Sequence, residues 1–313
     1  MRITVVINES DGGRLAQLRE AIEGLRAEGH AVRPRLTFES GDARWMARKA
    51  CEAGCDLLIA AGGDGTINEV VNGMQDWRRE GAGSESATPQ LGIVPLGTAN
   101  DFAGALGIPA EIPAAMALAL TGDALEVDVG VVEERCFINV STGGFGAEAT
   151  EEASDDVKRV LGPIAYLITG VRKFATLEPL TARVTSGESR LAEGRFLLFA
   201  VGNCRRTGGG NFITPEADPT DGLLDLCLVE EMSRVEFLRI LPQLRAGEHV
   251  EHPRILYRQL TEVTLESEEE LSVNADGEPL TGRRFRYTLS PYRVTVRVGE
   301  RPGDRSQESG VRS

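Results

Sequence analysis

Residues 56–61 form an almost uninterrupted apolar run, and a loop with three glycines in four positions follows it at once. Apolar side chains on both faces of a strand are typical of a parallel sheet that helices cover on each side. A similar run at residues 3–7, a fourth segment at residues 90–95 and a shorter one at residues 32–37 predict three further strands. The first part of the chain is therefore expected to contain a mostly parallel sheet.

Helical segments separate these predicted strands. Apolar residues recur at helical spacing in the first interval, and further helices are expected over residues 42–53, over residues 66–74 and from residue 97 onward. Alternating strands and helices predict a three-layer α/β domain over residues 1–125, whose ligands would bind at the carboxyl ends of the strands.

After about residue 125 the pattern becomes rich in strands. Short turns such as residues 186–189 connect them, which predicts an antiparallel β domain over residues 126–290. Helices are expected to interrupt it at residues 147–176 and 234–245. The polar tail, residues 301–313, is expected to be disordered. The predicted strands cover residues 126–132, 135–140, 180–185, 194–201, 222–229, 255–266, 271–274, 285–289 and 292–298.

The chain has 313 residues and a net charge of −14. The length favours two domains over one large α/β domain, and 41% hydrophobic with 26% charged residues is typical of a soluble globular protein. The negative charge argues against nucleic acid as a partner and against tight, purely electrostatic binding to an anionic membrane. Short basic clusters at residues 205–206 and 283–286 are best interpreted as solvated surface charge.

Cysteine and histidine usage indicates a reduced protein without a zinc site. The five cysteines are irregularly spaced and the three histidines do not cluster with them, so buried thiols are expected. The N-terminus has the character of a strand and not of a signal peptide. The chain contains no stretch of about 18 apolar residues, so no transmembrane helix is expected. We therefore expect a cytoplasmic protein.

The glycine-rich loop Gly62-Gly63-Asp64-Gly65-Thr66 carries the strongest chemical signal. Its glycines allow a sharp turn and a close approach to a ligand, and the helix that follows directs free N–H groups at a phosphate. Thr66 could cap this helix or bond a phosphate oxygen. Asp64 beside phosphates suggests a metal ion or a ribose. A plain strand–turn–helix connection is the disfavoured alternative.

Residues 97–101 follow the next predicted strand with similar chemistry. Gly97 permits a close approach, and Thr98 and Asn100 provide hydrogen-bonding side chains at a helix start. Taken alone, the segment could be only an N-cap. Together with the first loop at one sheet edge, it suggests two walls of a nucleotide cleft.

Two later segments contain carboxylates. Asp218 and Asp221 stand three residues apart and could hold Mg²⁺, although an acidic surface loop is the slightly favoured interpretation of these residues alone. In residues 274–280, Asp276 or Glu278 could serve as a general base. Asp276 followed by glycine is also an ordinary hairpin signal.

Two common nucleotide motifs do not account for this chain. No Walker A sequence occurs. Residues 144–149 match the dinucleotide-binding glycine pattern, but no second strand with an acidic end follows about 20 residues later. A dinucleotide site in that segment is therefore disfavoured.

Seven segments in this order resemble the bacterial lipid kinases with a diacylglycerol-kinase catalytic domain, and most closely the YegS-type lipid kinases. The glycine-rich loop alone is also similar to loops of NAD kinases and phosphofructokinases, whereas the whole set is highly specific. The matching segments are residues 37–43, 62–70, 91–103, 136–146, 202–210, 221–226 and 274–282.

The resemblance implies a fold, two cofactors and a set of site residues. The second domain would be a β-sandwich, and residues 291–300 would return to the first domain as a strand. Mg²⁺ would be bound by the Asp221 side chain with main-chain oxygens of Asp218 and Leu223, and Glu278 would accept the proton of the attacking hydroxyl. ATP would be bound by Thr37, Gly62, Gly63, Asp64, Gly65, Thr66, Ile67, Asn68 and Thr98.

The acceptor implied by the resemblance is a glycerolipid such as diacylglycerol or phosphatidylglycerol. We expect transient peripheral contact with the inner face of the membrane, no nucleic-acid partner, and a homodimer as a possible assembly. NAD kinase activity and a non-catalytic nucleotide-binding regulator are the alternative functions.

Overall fold

Two sheets organise the part of the chain that the computed structural model describes, which comprises residues 1–81, 88–144 and 179–299. The chain divides into two units, Met1–Asp128 with Pro291–Ser313, and Val129–Ser290. The helices predicted over residues 147–176, most of the glycine-containing segment 144–149 and the tail 301–313 lie outside the described residues.

The first unit is built on a six-stranded sheet in the order β2-β1-β3-β4-β15-β5, in which only β5 runs antiparallel to its neighbour. Every residue of β3 is buried, as its apolar run predicts. The strands are β1 (Arg2–Ile7), β2 (Ala31–Leu36), β3 (Leu57–Gly62), β4 (Gln90–Pro95), β5 (Asp123–Val127) and β15 (Val294–Val298).

Helices connect the parallel strands of this unit. The first of them begins after Asp11, whose carboxylate accepts the N–H of Arg14 at 2.8 Å and so caps the helix. The last of them contains the apolar run 112–120 and buries one face, including Met116. The described helices are α1 (Gly12–Ala27), α2 (Asp42–Glu52), α3 (Asp64–Arg79), α4 (Asp101–Ala105) and α5 (Ile112–Thr121).

The second unit contains a nine-stranded sheet in which all pairing is antiparallel. Its elements are β6 (Gly130–Val132), β7 (Arg135–Phe137), β8 (Val140–Gly144), β9 (Leu180–Ser186), β10 (Ser189–Gly202), β11 (Leu224–Glu230), α6 (Arg234–Ala246), β12 (Ile255–Leu260), β13 (Glu262–Ala275) and β14 (Glu278–Leu289).

The sheet of the second unit folds around an aromatic core. The two longest strands, β10 and β13, each pair with β9 along one half and with β8 along the other, and their registers shift between the halves. The ring of Tyr287 is fully buried and packs edge-to-face against Phe137 and Phe199, at centroid distances of 6.2 and 6.4 Å.

The structure confirms the predicted combination of a mostly parallel α/β part and an antiparallel β-rich part, but it divides some elements differently. The strand predicted over residues 126–132 is two strands: β5 lies in the first sheet and β6 in the second. Asp128 separates them, because its buried carboxylate accepts a hydrogen bond from Arg293 at 2.7 Å. The strand predicted over residues 255–266 is likewise divided at residue 261 into β12 and β13.

All five cysteines are free and buried. Burial raises the pKa of the Cys51 and Cys227 thiols to about 12, which keeps both protonated at neutral pH. None of the described helices combines the length and apolar composition that crossing a bilayer demands.

Candidate active-site residues

The glycine-rich loop joins strand β3 directly to helix α3. Gly62 ends the strand, and Gly63 occupies the N-cap position with φ −85° and ψ −175°. The helix begins at Asp64, two residues before the predicted start, so Thr66 lies in its first turn and does not cap it. Gly63 has no side chain with which to cap this end, which leaves the first N–H groups and the positive end of the helix dipole for an anion.

Close contacts explain Gly62 and Gly63 of this loop and Gly97 of the second loop. A Cβ atom on Gly62 would lie 2.4 Å from the Thr66 Oγ1 atom. A Cβ atom on Gly97 would lie 2.6 Å from the Gly63 Cα atom, and one on Gly63 would lie 3.1 Å from the Gly97 Cα atom. The two predicted nucleotide loops are therefore in direct main-chain contact.

Asp64 links the same two loops through its side chain. Its carboxylate accepts the N–H groups of Asp101 at 3.1 Å and Phe102 at 3.0 Å, and so caps helix α4 from a distance of 37 residues in sequence. Asn100 occupies the N-cap position with φ 50° and ψ 43°, and its side chain bonds both the N–H and the carbonyl of Gly97. The Asp64 carboxylate thus orders the second loop.

Asn8 is a residue of this region that the sequence interpretation missed. Strand order reverses between β1 and β3, which is the point where open α/β sheets bind ligands. Asn8 follows β1 there: its N–H donates to the Ala61 carbonyl at 2.9 Å, and its Nδ2 donates to the Thr66 hydroxyl at 3.1 Å. A polar residue directly after a buried strand was the available signal.

The other residues predicted to bind the nucleotide lie at the same sheet edge with different exposure. Thr37 follows β2, and its N–H and hydroxyl both donate to the Ile7 carbonyl, at 2.9 and 3.3 Å. Thr98 is exposed. Asn68 is buried and its Oδ1 accepts from Asn72 at 2.8 Å, while the fully buried Ile67 side chain could contribute to a ligand only through its main chain.

In the second unit, the predicted metal-binding residues lie in the loop between β10 and β11. The Asp218 Oδ1 atom accepts both the N–H and the hydroxyl of Thr220, at 3.0 and 2.7 Å, and the Asp218 carbonyl accepts the N–H of Asp221 at 3.3 Å. Asp221 is exposed, and its Oδ1 accepts the N–H of Leu223 at 2.9 Å. One tight turn therefore brings the three predicted ligands together.

A buried carboxylate that the sequence did not indicate lies in strand β11, directly after this loop. Asp225 is fully buried and accepts hydrogen bonds from the Tyr257 hydroxyl at 2.7 Å and from Gln259 at 3.3 Å. The N–H of Glu216 in turn donates to the Tyr257 hydroxyl at 3.2 Å. Burial raises the pKa of Asp225 to about 6, although its hydrogen bonds act in the opposite direction.

The structure distinguishes the two candidate bases of the turn between β13 and β14. The Asp276 carboxylate accepts the N–H groups of Ile138, Asn139 and Val140, at 2.5 to 3.2 Å, and so fixes the start of β8. Glu278 instead forms an ion pair with Arg135 at 3.1 Å, and both side chains are about half exposed. Only Glu278 therefore has the accessibility that a proton acceptor for a substrate requires.

Hard oxygen donors are the ligands that Mg²⁺ prefers, and the turn at residues 218–223 supplies them. The exposed Asp221 carboxylate and the main-chain oxygens of Asp218 and Leu223 suit an ion that keeps several waters or phosphate oxygens. Within residues 1–81, 88–144 and 179–299, no group of three or more His, Cys, Asp or Glu side chains is arranged to hold a metal on its own.

Comparison with known families agrees with both units. The diacylglycerol kinase catalytic domain matches residues 2–132, and the YegS C-terminal NAD kinase beta sandwich-like domain matches residues 139–298.

Among curated relatives, a Pseudomonas aeruginosa (strain UCBPP-PA14) protein named "Probable lipid kinase YegS-like" is 37% identical over 297 residues, which are 95% of this chain and 94% of the relative. An Escherichia fergusonii protein named "Probable lipid kinase YegS" is 39% identical over 284 residues, 90% of this chain and 91% of the relative.

Solved structures show the same architecture. A Bacillus anthracis str. Sterne protein, provisionally named a diacylglycerol kinase, has a TM-score of 0.76 at 25% identity, covering 95% of this chain and 97% of its own. Yeast NADH kinase in complex with NADH has a TM-score of 0.54 at 11% identity, covering 100% of this chain and 88% of its own, and shares the fold alone. The chain therefore belongs to the family of YegS-like lipid kinases, as its sequence motifs predict.

Proposed function

We propose that this protein is an ATP- and Mg²⁺-dependent kinase that phosphorylates a hydroxyl group of a glycerolipid, diacylglycerol or phosphatidylglycerol. The observation that carries the proposal is the uncapped start of helix α3, which the second glycine loop contacts main chain to main chain. Membership of a lipid kinase family supports ATP as the phosphate donor and a lipid as the acceptor.

The N–H groups at the start of α3 would hold the phosphates of ATP. Gly65 is exposed, and a Cβ atom there would meet nothing within 4 Å, so a phosphate can approach the main chain at this residue. Thr66, fixed by Asn8, would present its hydroxyl to the same group. Thr37 and Thr98 would contact the nucleotide from the neighbouring loops at the sheet edge.

Asp221, with the main-chain oxygens of Asp218 and Leu223, would hold Mg²⁺ in the second unit. When bound, the ion would neutralise charge on the transferring phosphoryl group. The hydrogen bonds from Leu223 to the Asp221 carboxylate and from Asp221 to the Asp218 carbonyl preorganise this turn.

Glu278 would act as the general base in direct in-line transfer. The lipid hydroxyl oxygen attacks the γ-phosphorus as Glu278 takes its proton, and the bond to the β–γ bridging oxygen of ATP breaks, which releases ADP. The ion pair with Arg135, at 3.1 Å, holds the carboxylate in place.

The experiment that tests this function uses radiolabelled ATP with a total lipid extract, followed by identification of the labelled product. Glu278→Gln should reduce phosphate transfer on the order of a hundredfold or more, while ATP binding, measured in parallel by calorimetry, stays unchanged. Glu262→Gln is the matched control, because Glu262 forms a comparable exposed ion pair with Arg286 at 2.8 Å. Near-normal turnover of Glu278→Gln would contradict the base assignment.

Two further arms address the alternative functions. Likeness to yeast NADH kinase concerns the fold alone, so NAD with ATP should yield no NADP. A non-catalytic regulator would bind ATP and label no lipid across a broad panel. Formation of NADP, or ATP binding without any labelled lipid, would overturn the proposal as a whole, whereas near-normal turnover of Glu278→Gln alone would overturn only its choice of base.

A further inference from the structure

Three large apolar side chains are exposed around one loop of the first unit. Leu36 ends β2 with 45% of its surface exposed, Phe38 follows with 92%, and Trp45 in the first turn of α2 has 59%. Among the described residues, the other large apolar side chains with comparable exposure are Met1, which precedes β1, and Val235, in helix α6 of the second unit. A cluster of this kind marks an interaction surface.

The loop that carries these side chains is held in place by hydrogen bonds. The Asp42 carboxylate accepts the N–H groups of Phe38 at 2.7 Å and Glu39 at 3.1 Å, and the Glu69 carboxylate accepts those of Gly41 at 3.0 Å and Ala43 at 3.1 Å. Phe38 is therefore exposed on an ordered segment, which lowers the entropic cost of using it as an anchor.

Two cations accompany the apolar cluster. Arg33 and Arg35 are exposed on β2, the edge strand of the sheet, and neither pairs with a carboxylate in the described part of the chain. The arginines of the basic cluster predicted at residues 283–286 behave differently, since Arg284 and Arg286 are paired with Glu266 and Glu262. The edge strand β2 thus carries two cations without a carboxylate partner among the described residues of an acidic protein, next to a loop that also contains the exposed Glu39.

Protection of a sheet edge accounts for only part of this surface. Charged residues and a proline, as in Arg33, Pro34 and Arg35, prevent edge strands from pairing with other chains. Exposed Phe38 and Trp45 have the opposite effect, because they favour association. Aromatic side chains next to arginines are instead the composition of protein segments that lie at a membrane interface.

We propose that Leu36, Phe38 and Trp45, flanked by Arg33 and Arg35, form a membrane-docking surface that inserts into the headgroup region of an anionic lipid leaflet. The identity of the occupant rests on the proposed function, whose acceptor is a membrane lipid. A second copy of this chain is a less suitable occupant, because a twofold contact through this surface would bring the same arginines of both copies together. The surface lies at the sheet edge where the ATP-binding loops are expected.

The two tryptophans of the chain make the docking directly measurable. Trp45 is exposed, whereas Trp77 is 4% exposed. Without nucleotide, vesicles of phosphatidylcholine and phosphatidylglycerol should shift the emission of Trp45 to shorter wavelength. Vesicles of phosphatidylcholine alone should do so less, and added salt should weaken the effect. Trp45→Phe should abolish the shift and leave the emission of Trp77.

Partition coefficients then test the named residues. Phe38→Ser should lower partitioning into the anionic vesicles on the order of tenfold, since it removes one buried aromatic side chain from the bound state. Replacing Arg33 and Arg35 together by glutamine should have an effect of similar size at low salt. Val235→Ser is the matched control, because it removes an apolar side chain that is 60% exposed in the second unit. Circular dichroism establishes that each variant is folded.

Several results would overturn the docking surface. These are no emission shift in the wild type, equal partitioning of Phe38→Ser and Val235→Ser, or a Trp45 shift that depends on protein concentration without vesicles, as a second copy would cause. An unchanged partition coefficient with a raised KM for ATP in Phe38→Ser would place Phe38 on the nucleotide instead. A protein that docks as described but phosphorylates no lipid would refute the proposed function and leave the surface in place.

Discussion

Replacing Gly97 by alanine would drive a methyl group into the main chain of the glycine-rich loop. The new Cβ atom would lie 2.6 Å from the Gly63 Cα atom and 2.9 Å from the Asn100 Oδ1 atom. Ordinary contact begins near 3.4 Å, so the two loops must separate by roughly 0.8 Å, the difference between 3.4 and 2.6 Å. Overpacking of this kind costs about 1–3 kcal/mol.

The same displacement would disturb nucleotide binding. A shift of about 1 Å in a positioning element can cost on the order of a hundredfold in rate. Asp64 cannot follow both loops, because its carboxylate bonds the N–H groups of Asp101 and Phe102 while its own main chain starts helix α3. We therefore expect Gly97→Ala to lose both stability and ATP affinity.

Two other glycines separate these effects. A Cβ atom on Gly65 or on Gly104 would meet nothing within 4 Å, so neither alanine should destabilise the first unit through a clash. Gly65→Ala should nevertheless weaken ATP binding, because its methyl group would stand where a phosphate is proposed to approach. Gly104→Ala, at an exposed position of α4, should leave ATP binding unchanged and stability unchanged or slightly higher.

The assay follows from the position of the tryptophans. Trp45 and Trp77 both lie in the first unit, so fluorescence-detected urea unfolding reports that unit, and calorimetry gives the ATP affinity. If Gly97→Ala matched Gly104→Ala in both measurements, the contact between the loops would not control the site. If Gly65→Ala bound ATP as tightly as the wild type, the phosphates would not lie over the start of α3.

Three further predictions concern the second unit and the thiols. Asp276→Ala should lower the free energy of unfolding by about 2–4 kcal/mol, because it leaves main-chain N–H groups unpaired. Glu278→Ala should change the free energy of unfolding by less than about 1 kcal/mol. Equal losses for the two variants in urea unfolding would contradict this prediction. Burial lowers the pKa of His249, so the unfolded chain binds a proton more readily and the contribution of His249 to stability should fall as the pH drops below about 7, in opposition to that of Asp225, whose pKa is raised to about 6. His249→Asn should make that fall shallower, and an unchanged pH profile would refute the reasoning. Cys51 and Cys227, with pKa raised to about 12, should react with a disulfide reagent at neutral pH only after unfolding, which a time course with and without denaturant would check.

The sequence predicts the first sheet well because burial on both faces leaves a direct signal. The apolar runs at residues 3–7, 56–61 and 90–95 correspond to β1, β3 and β4. Which strands pair is not encoded in such runs. The predicted strand at residues 126–132 shows the limit: alternation continues through it, yet its first part pairs with β15 and its last part with β14.

The candidate site shows a similar limit. Glycine density identifies the loop at residues 62–66, because close backbone approach requires residues without a side chain. The partners of Asp64 are 37 and 38 residues away, so nothing near it in the sequence indicates that its carboxylate caps α4. Asp276 is a stronger case, since its main-chain partners lie 136 to 138 residues earlier.

The carboxylates of the two predicted sites differ in the groups that donate hydrogen bonds to them. Asp64 and Asp276 each accept two or more main-chain N–H groups, and a carboxylate engaged in this way positions the backbone. Glu278 has a guanidinium partner and is half exposed, so it can exchange that partner for a hydroxyl group. This difference supports Glu278 over Asp276 as the base. It also predicts that replacing Asp276 lowers the stability of the fold, whereas replacing Glu278 lowers the rate of turnover.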